Sequence, residues 1–239
     1  ALQIVGAESL YGPYAQPAVL TLREVTLRLA VHHPHPTGIE AFSKEFMGAG
    51  LAMSTGRAGL APGRPKASPI VRLFSFLYPK EKVPVEVRVD GEIVPLRHVA
   101  GRGGDVPASS PAAEEDVLPL GPSVPLPLIR LAVARSGDKG NNANIGVIAR
   151  RAEYLPWIRA ALTPEVVRQR FAHFVAGKVE RYDVPGIHAL NFVLHDSLGG
   201  GGVSSLQLDP QAKTYAQLLL DLPVPLPPAM AELAQGARR

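Results

Sequence analysis

The 239-residue sequence contains no cysteine. That absence excludes disulfides, thiolate metal sites and a cysteine nucleophile, and it suits a reducing compartment. No apolar run approaches the ~20 residues of a membrane-crossing helix. Basic residues do not cluster: 18 of the 25 Lys and Arg are scattered arginines. They form no run of four or more and have no aromatic interleaving, so the footprint of a nucleic-acid surface is missing. The net charge of +4 is modest. No Gly-Lys-Ser/Thr phosphate loop, no Gly-x-Ser-x-Gly elbow and no internal repeat occur. The opening Ala1-Leu2-Gln3-Ile4-Val5-Gly6 lacks an initiator methionine and the basic-then-apolar layout of a signal peptide. It reads like mid-domain sequence, so residues 1–104 are expected to be the C-terminal part of a larger domain.

What is present describes a globular chain, with 46% hydrophobic and 19% charged residues. After an irregular Gly/Tyr/Pro stretch (Gly6 to Gln16), alternation from Leu20 to Val31 predicts a strand with a slip near Glu24. Ile39, Phe42 and Phe46 predict a short helix capped at Thr37-Gly38. Residues 48–69 read as a loop and Val71–Tyr78 as a buried strand. Asp90-Gly91 predicts a hairpin turn that sets Val87 opposite Val94 and Val85 opposite Leu96. Residues 105–126 are a Pro/Gly/Ala/acidic linker by composition. Beyond it, 127–228 reads strand, loop, strand, two helices, two strands, a third strand over Val203–Leu208, and a helix. Thr163-Pro164-Glu165 is a helix start and Gly177 a helix stop. The two strands before Val203 span Lys178–Val184 and Ile187–His195. Asp209-Pro210 caps the last helix, whose inner face is Ala212, Tyr215, Ala216 and Leu219. A Pro-rich tail and a polar end (229–239) follow. The fold class is α+β, an α/β sandwich with helices on one face of an antiparallel sheet.

The chain is organised around Arg135-Ser136-Gly137-Asp138-Lys139-Gly140-Asn141-Asn142-Ala143-Asn144. This stretch holds three of the four asparagines, between apolar runs Leu128–Ala134 and Ile145–Ala149. Read as a loop, it turns backbone N–H groups toward an anion. The candidates are a phosphate, a carboxylate or the pyrophosphate of an acyl-CoA. Lys139 supplies positive charge, and Asp138 orients it or accepts a proton. A decorated turn between strands is the competing reading. The four glycines 199–202 cost conformational entropy and suggest close backbone approach to a ligand or a mobile lid, with a floppy hairpin loop as the competing reading. In an antiparallel sheet, Gly200 and Gly201 lie at the same end as the first loop. Asn191 is a polar residue in an apolar strand and needs partners. Lys213, in the first turns of the last helix, reaches an anion or stays solvated. The ligand-binding candidates are therefore Ser136, Gly137, Asp138, Lys139, Gly140, Asn141, Asn144, Asn191, Gly200, Gly201 and Lys213.

Other clusters carry less. His195-Asp196 with Ser197, Ser204 and Ser205 has the ingredients of a triad, but adjacent strand residues face opposite ways. His32, His33 and His35 match no common zinc spacing and read as a solvent-exposed connection. No metal and no cofactor is required by the sequence.

Ala134-Arg135-Ser136-Gly137-Asp138-Lys139-Gly140 with Asn144-Ile145-Gly146-Val147 carries a resemblance. So do His188–Phe192, Leu198–Gly201 and Ser205–Asp209 with Lys213. Together these segments resemble the ferredoxin-fold-like C-terminal domain of the acyclic terpene utilisation (AtuA) family. Upstream, Arg23-Glu24-Val25 and the strands to Leu96 resemble the end of that family's N-terminal domain. The resemblance implies a cytoplasmic role in bacterial breakdown of acyclic terpenes such as citronellol and geraniol, near acyl-CoA carboxylation. It brings no catalytic residues with it. Asn141-Asn142 stands where small and acidic residues are expected, which argues against a metal or acid/base role at this loop. Two functions follow. One is an enzyme or enzyme component acting on an acyl-CoA-like or carboxylated intermediate held at 136–144. The other is a non-catalytic module that forms a homo-oligomer or docks on a partner enzyme. Neither uses nucleic acid or a membrane.

Overall fold

Strand pairing organises the chain, and a computed structural model describes residues 1–53, 55–59, 63–95, 118 and 121–236. The chain divides into two units: Ala1–Arg72 with Asp116–Arg239, and Leu73–Glu115.

The smaller unit holds β3 (Val87–Val89) and β4 (Glu92–Val94), which together with β1, β2 and α1 of the larger unit precede the linker region. The predicted turn is there: Asp90 (φ 51°) and Gly91 (φ 87°) join β3 to β4, with Val87 opposite Val94. Both residues take the positive φ of a type I′ hairpin. Leu96 and residues 105–117 lie outside the described residues. Val71–Tyr78 forms no strand. Its apolar side chains are exposed, because they find no partner strand and an unpaired extended segment cannot be buried cheaply.

In the larger unit, β1 (Leu2–Val5) pairs with β2 (Thr26–Leu29). The long strand expected over Leu20–Val31 is shorter, since Pro17–Thr21 turns as a 3-10 helix. Pro17 fixes the φ that opens that turn. The helix α1 (Pro36–Ala52) starts after His35, not at Thr37-Gly38, and runs past Met47. Phe42 and Phe46 lie on one face of it, their ring centroids 5.8 Å apart and tilted.

The C-terminal part begins with β5 (Val124–Pro127), β6 (Ala132–Lys139) and β7 (Asn142–Ala149), followed by α2 (Leu155–Ala161) and α3 (Pro164–Arg170). It continues through β8 (Val179–Val184), β9 (Ala189–Leu194), α4 (Tyr215–Leu220), β10 (Pro223–Leu226) and α5 (Pro228–Gly236). The four-stranded antiparallel sheet has the order β6-β7-β9-β8. β9 thus inserts between β7 and β8, which α2 and α3 connect. This is the split βαβ of a ferredoxin-like α+β sandwich. Thr163 caps α3 as expected, its side chain accepting from Val166 N–H, but α3 ends at Arg170 and not at Gly177.

One face of the sheet is covered. Ala132, Ala143, Ile145, Val147, Leu190, Phe192 and Leu194 lie in a core with Ile158, Val167, Phe171, Tyr215 and Leu219. Phe171 and Phe174 both stack on Tyr215, at 5.2 and 5.1 Å. Ala212, Tyr215, Ala216 and Leu219 are buried as predicted, although α4 begins only at Tyr215. Residues Val203–Leu208 are not a strand; Gly202–Ser204 is a 3-10 turn. The Pro-rich tail is the opposite case, because β10 pairs with β5. Pro223 faces Pro127 and Pro225 faces Pro125. The prolines therefore occupy the pairs that exchange no hydrogen bonds, and no ladder donor is missed.

A candidate anion site on the open sheet face

Alternation decides which side chains leave the core. On β6, Ala132, Ala134, Ser136 and Asp138 share the covered face with Ile145 and Val147, their partners across the ladder. Arg135, Gly137 and Lys139 therefore point to the other face. Register extends this face across all four strands. Gly137, Asn144, Val193 and Glu180 form one row, and Arg135, Gly146, Asn191 and Tyr182 the next. The helices pack on the opposite side, and Val133, Ile148 and Tyr182 are exposed.

The Gly/Asn stretch is not an open loop. Pairing continues to Lys139 opposite Asn142, leaving only Gly140-Asn141 as a two-residue turn. Gly140 sits at φ +66°, the first central position of a type II′ hairpin. Most of the N–H groups expected to face an anion belong to the strand ladder instead.

The hairpin tip locks to the four-glycine segment, as the sheet geometry suggested. The Asn141 carbonyl accepts from Ser197 N–H (3.0 Å) and Leu198 N–H (3.2 Å). Asn141 Oδ1 accepts from Gly200 N–H at 2.7 Å, and Asn141 Nδ2 donates to Asp196 Oδ1 at 3.0 Å. Asn142 Oδ1 accepts from Asp196 N–H at 3.0 Å. Gly201, at φ +75°, lies so close that a Cβ there would stand 2.2 Å from the Gly140 carbonyl oxygen. The glycines are required by this approach and by the left-handed backbone. Gly140, Asn141, Gly200 and Gly201 thus build the scaffold.

Two other candidates lie on the covered face. Ser136 Oγ donates to the Ala212 carbonyl (2.5 Å) and accepts from Ala216 N–H (2.9 Å), fastening β6 to α4. Asp138 faces the same side, so it does not oppose the cations on the other.

The remaining candidates meet on the open face. Lys213 Nζ lies 3.7 Å, and Asn144 Oδ1 4.0 Å, from the point a Gly137 Cβ would occupy. Asn144 Nδ2 donates to Asn191 Oδ1 at 3.2 Å, leaving Asn144 Oδ1 and Asn191 Nδ2 for other partners. Arg135 and Lys139 flank Gly137 at i−2 and i+2, about 7 Å away along the strand. Lys139 Nζ donates to the Asp138 carbonyl at 2.9 Å. Among the described residues, Arg135, Lys139 and Lys213 have no carboxylate partner. Sequence reasoning had not singled out Arg135, although its i−2 spacing from Gly137 puts both on one strand face.

Lys213 is held from behind by Asp209. The buried carboxylate accepts from the N–H groups of Gln211 (3.3 Å), Lys213 (2.9 Å) and Thr214 (2.7 Å), and from Thr214 Oγ1 (2.7 Å). Burial pushes its pKa up, but the hydrogen bonds from Thr214, Lys213 and Gln211 outweigh that and hold it below the ordinary value. Tyr215 packs below, donating to the Ser197 carbonyl at 2.9 Å. Burial, reinforced by the Asp209 charge, raises its phenol well above the usual range.

Among the described residues, no helix is long and apolar enough to cross a membrane, and no three His, Asp or Glu residues gather as metal ligands. His32, His33 and His35 are exposed, and His33 Nδ1 accepts from His35 N–H at 3.0 Å.

Residues 126–225 match the AtuA ferredoxin-like domain. Residues 1–89 match the acyclic terpene utilisation family protein AtuA. No curated protein and no solved structure matches the chain. Both halves of the chain, the strands and helix before the linker and the sandwich after it, therefore point the same way: the chain belongs to the acyclic terpene utilisation family AtuA and carries its ferredoxin-like domain.

Proposed function

We propose that this protein acts in the cytoplasmic breakdown of acyclic terpenes, on an acyl-CoA-like or carboxylated intermediate. Its anionic end lies on the open sheet face. The observation that carries this reading is Lys213 beside Gly137, with Arg135 and Lys139 at i−2 and i+2 on the same strand face and no carboxylate paired with any of the three among the described residues. Such cations are free to take a carboxylate or phosphate oxygen. The glycine floor lets the anion approach the strand, and the Asn144–Asn191 pair offers one acceptor and one donor beside it.

Calorimetry with glutaryl-CoA, which carries a carboxylate and a thioester, tests this. Loss of a hydrogen bond to a charged group costs about 1.5–3 kcal/mol. Lys213→Ala should weaken binding about ten- to hundredfold, and Lys139→Ala by less, since its ammonium already rests on a backbone carbonyl. Unchanged affinity in Lys213→Ala would sink the reading.

A second reading, an assembly module that pairs with itself or a partner enzyme, draws on the exposed Leu2, Leu20, Leu22, Val25 and Leu27 of the β1–β2 region. Contiguous exposed apolar surface marks interaction sites. A monodisperse monomer in analytical ultracentrifugation, over the micromolar range, would count against the self-pairing form.

A further inference from the structure

His195 and Glu180 are the one His–carboxylate pair on this face among the described residues. Leu194 is buried in the core and Val193 belongs to the open-face row, so His195 follows onto the open face. Its N–H donates to the Lys178 carbonyl at 3.0 Å, which continues the β8–β9 ladder one residue beyond β9. His195 Nε2 lies 2.6 Å from Glu180 Oε2. Glu180 Oε1 accepts from Lys178 Nζ at 2.6 Å. The carboxylate is thus anchored on one oxygen and orients the imidazole with the other. Bonds from Lys178 and then His195 hold Glu180 ionised, its pKa lowered. Both side chains are about one-third exposed, so a ligand on the face reaches them. With Nε2 donating to Glu180, Nδ1 carries the ring's remaining lone pair.

We infer that His195, oriented by Glu180, moves a proton on and off the carbon next to the thioester of an acyl chain whose far-end carboxylate sits at Lys213. This rests on the anion reading above. The span fits. His195 continues β9, one row beyond Val193, and Lys213 reaches the face at Gly137 on β6, so two strand spacings and one row separate them, about 12 Å. A hydrogen bond at each end takes about 6 Å, leaving room for a short carbon chain between carboxylate and reacting C–H. In the step, the C–H bond breaks and the proton forms a bond to His195 Nδ1. The electron pair stays on the carbon as an enolate delocalised onto the thioester oxygen. Return of the proton reverses it. No oxidant, reductant or co-reactant enters. His195 is the catalytic residue and Glu180 a positioning residue.

The test is C2–H exchange of glutaryl-CoA in D2O, followed by mass spectrometry on the full chain, with binding measured in parallel. Wild type should incorporate deuterium. His195→Gln should slow exchange by about a hundredfold or more, with affinity within about twofold. Glu180→Gln should slow it about tenfold without weakening binding, and Glu180→Asp should restore part of the loss. Binding without exchange in wild type, or exchange unchanged in His195→Gln, overturns the dyad and leaves the anion site standing. Absence of binding overturns the anion reading and the dyad with it.

Discussion

Asp209→Ala removes four hydrogen bonds from the turn that carries Lys213. Bonds to an ionised acceptor contribute about 1.5–3 kcal/mol each but are not additive within one turn. Three backbone N–H groups lose their acceptor in a region that is partly buried. The expected loss is about 3 kcal/mol. Urea unfolding followed by the single tryptophan, Trp157, which packs against the core, reads it directly. At a slope of about 2 kcal/mol per molar, the midpoint should fall by about 1.5 M with the slope unchanged. The sign of the pH dependence is fixed as well. The folded pKa of Asp209 is lowered, so its stabilisation is complete above the unfolded value of about 3.9 and is lost as pH falls through the depressed folded value. The gap between wild type and variant should be full at neutral pH and shrink in acid. A gap under about 1 kcal/mol, or one that does not change with acidification, would refute the reasoning.

Three further outcomes follow from the loop junction and the face. Gly201→Ala should destabilise by about 1–3 kcal/mol more than Gly202→Ala in thermal unfolding, because both have positive φ but only Gly201 meets a backbone atom. Asn141→Ala should cost about 1–3 kcal/mol, since the Gly200 N–H loses its acceptor, and it should speed amide exchange at Gly200. Asn144→Ala should lower ligand affinity more than stability, as its side chain bonds the Asn191 amide on an accessible face; equal effects on both would place its role in folding alone.

Much of this architecture is legible before any coordinates. Thr163-Pro164-Glu165 and Asp90-Gly91 are decided by local chemistry, a cap and two positive-φ residues, and both stand as read. The inner face of α4 follows from spacing. Failures occur where local signals compete with partners distant in sequence. Glycine and asparagine at 137–144 read as a loop, yet β6 and β7 pair through them, because a neighbouring strand supplies what propensity lacks. Val71–Tyr78 has the right residues for a strand and no partner. The prolines of β5 and β10 read as breakers, but their alternation matches the alternation of hydrogen-bonded pairs. At the site, Gly137, Asn144, Asn191 and Lys213 are candidates by residue type, while their meeting on one face depends on register. His195 and Glu180 come together for the same reason: Pro185-Gly186 marks the turn between their strands, but the register that sets them diagonally on one face follows from the pairing.

The most direct test is a thermal-shift measurement with saturating glutaryl-CoA on wild type and on the Arg135→Ala/Lys213→Ala variant. Ligand at about a hundred times its Kd should stabilise wild type by about 2.7 kcal/mol. The account predicts that this gain disappears in the double variant while its ligand-free stability stays close to wild type, since neither cation has a carboxylate partner among the described residues. An equal gain in both proteins would contradict an anion site on the sheet face.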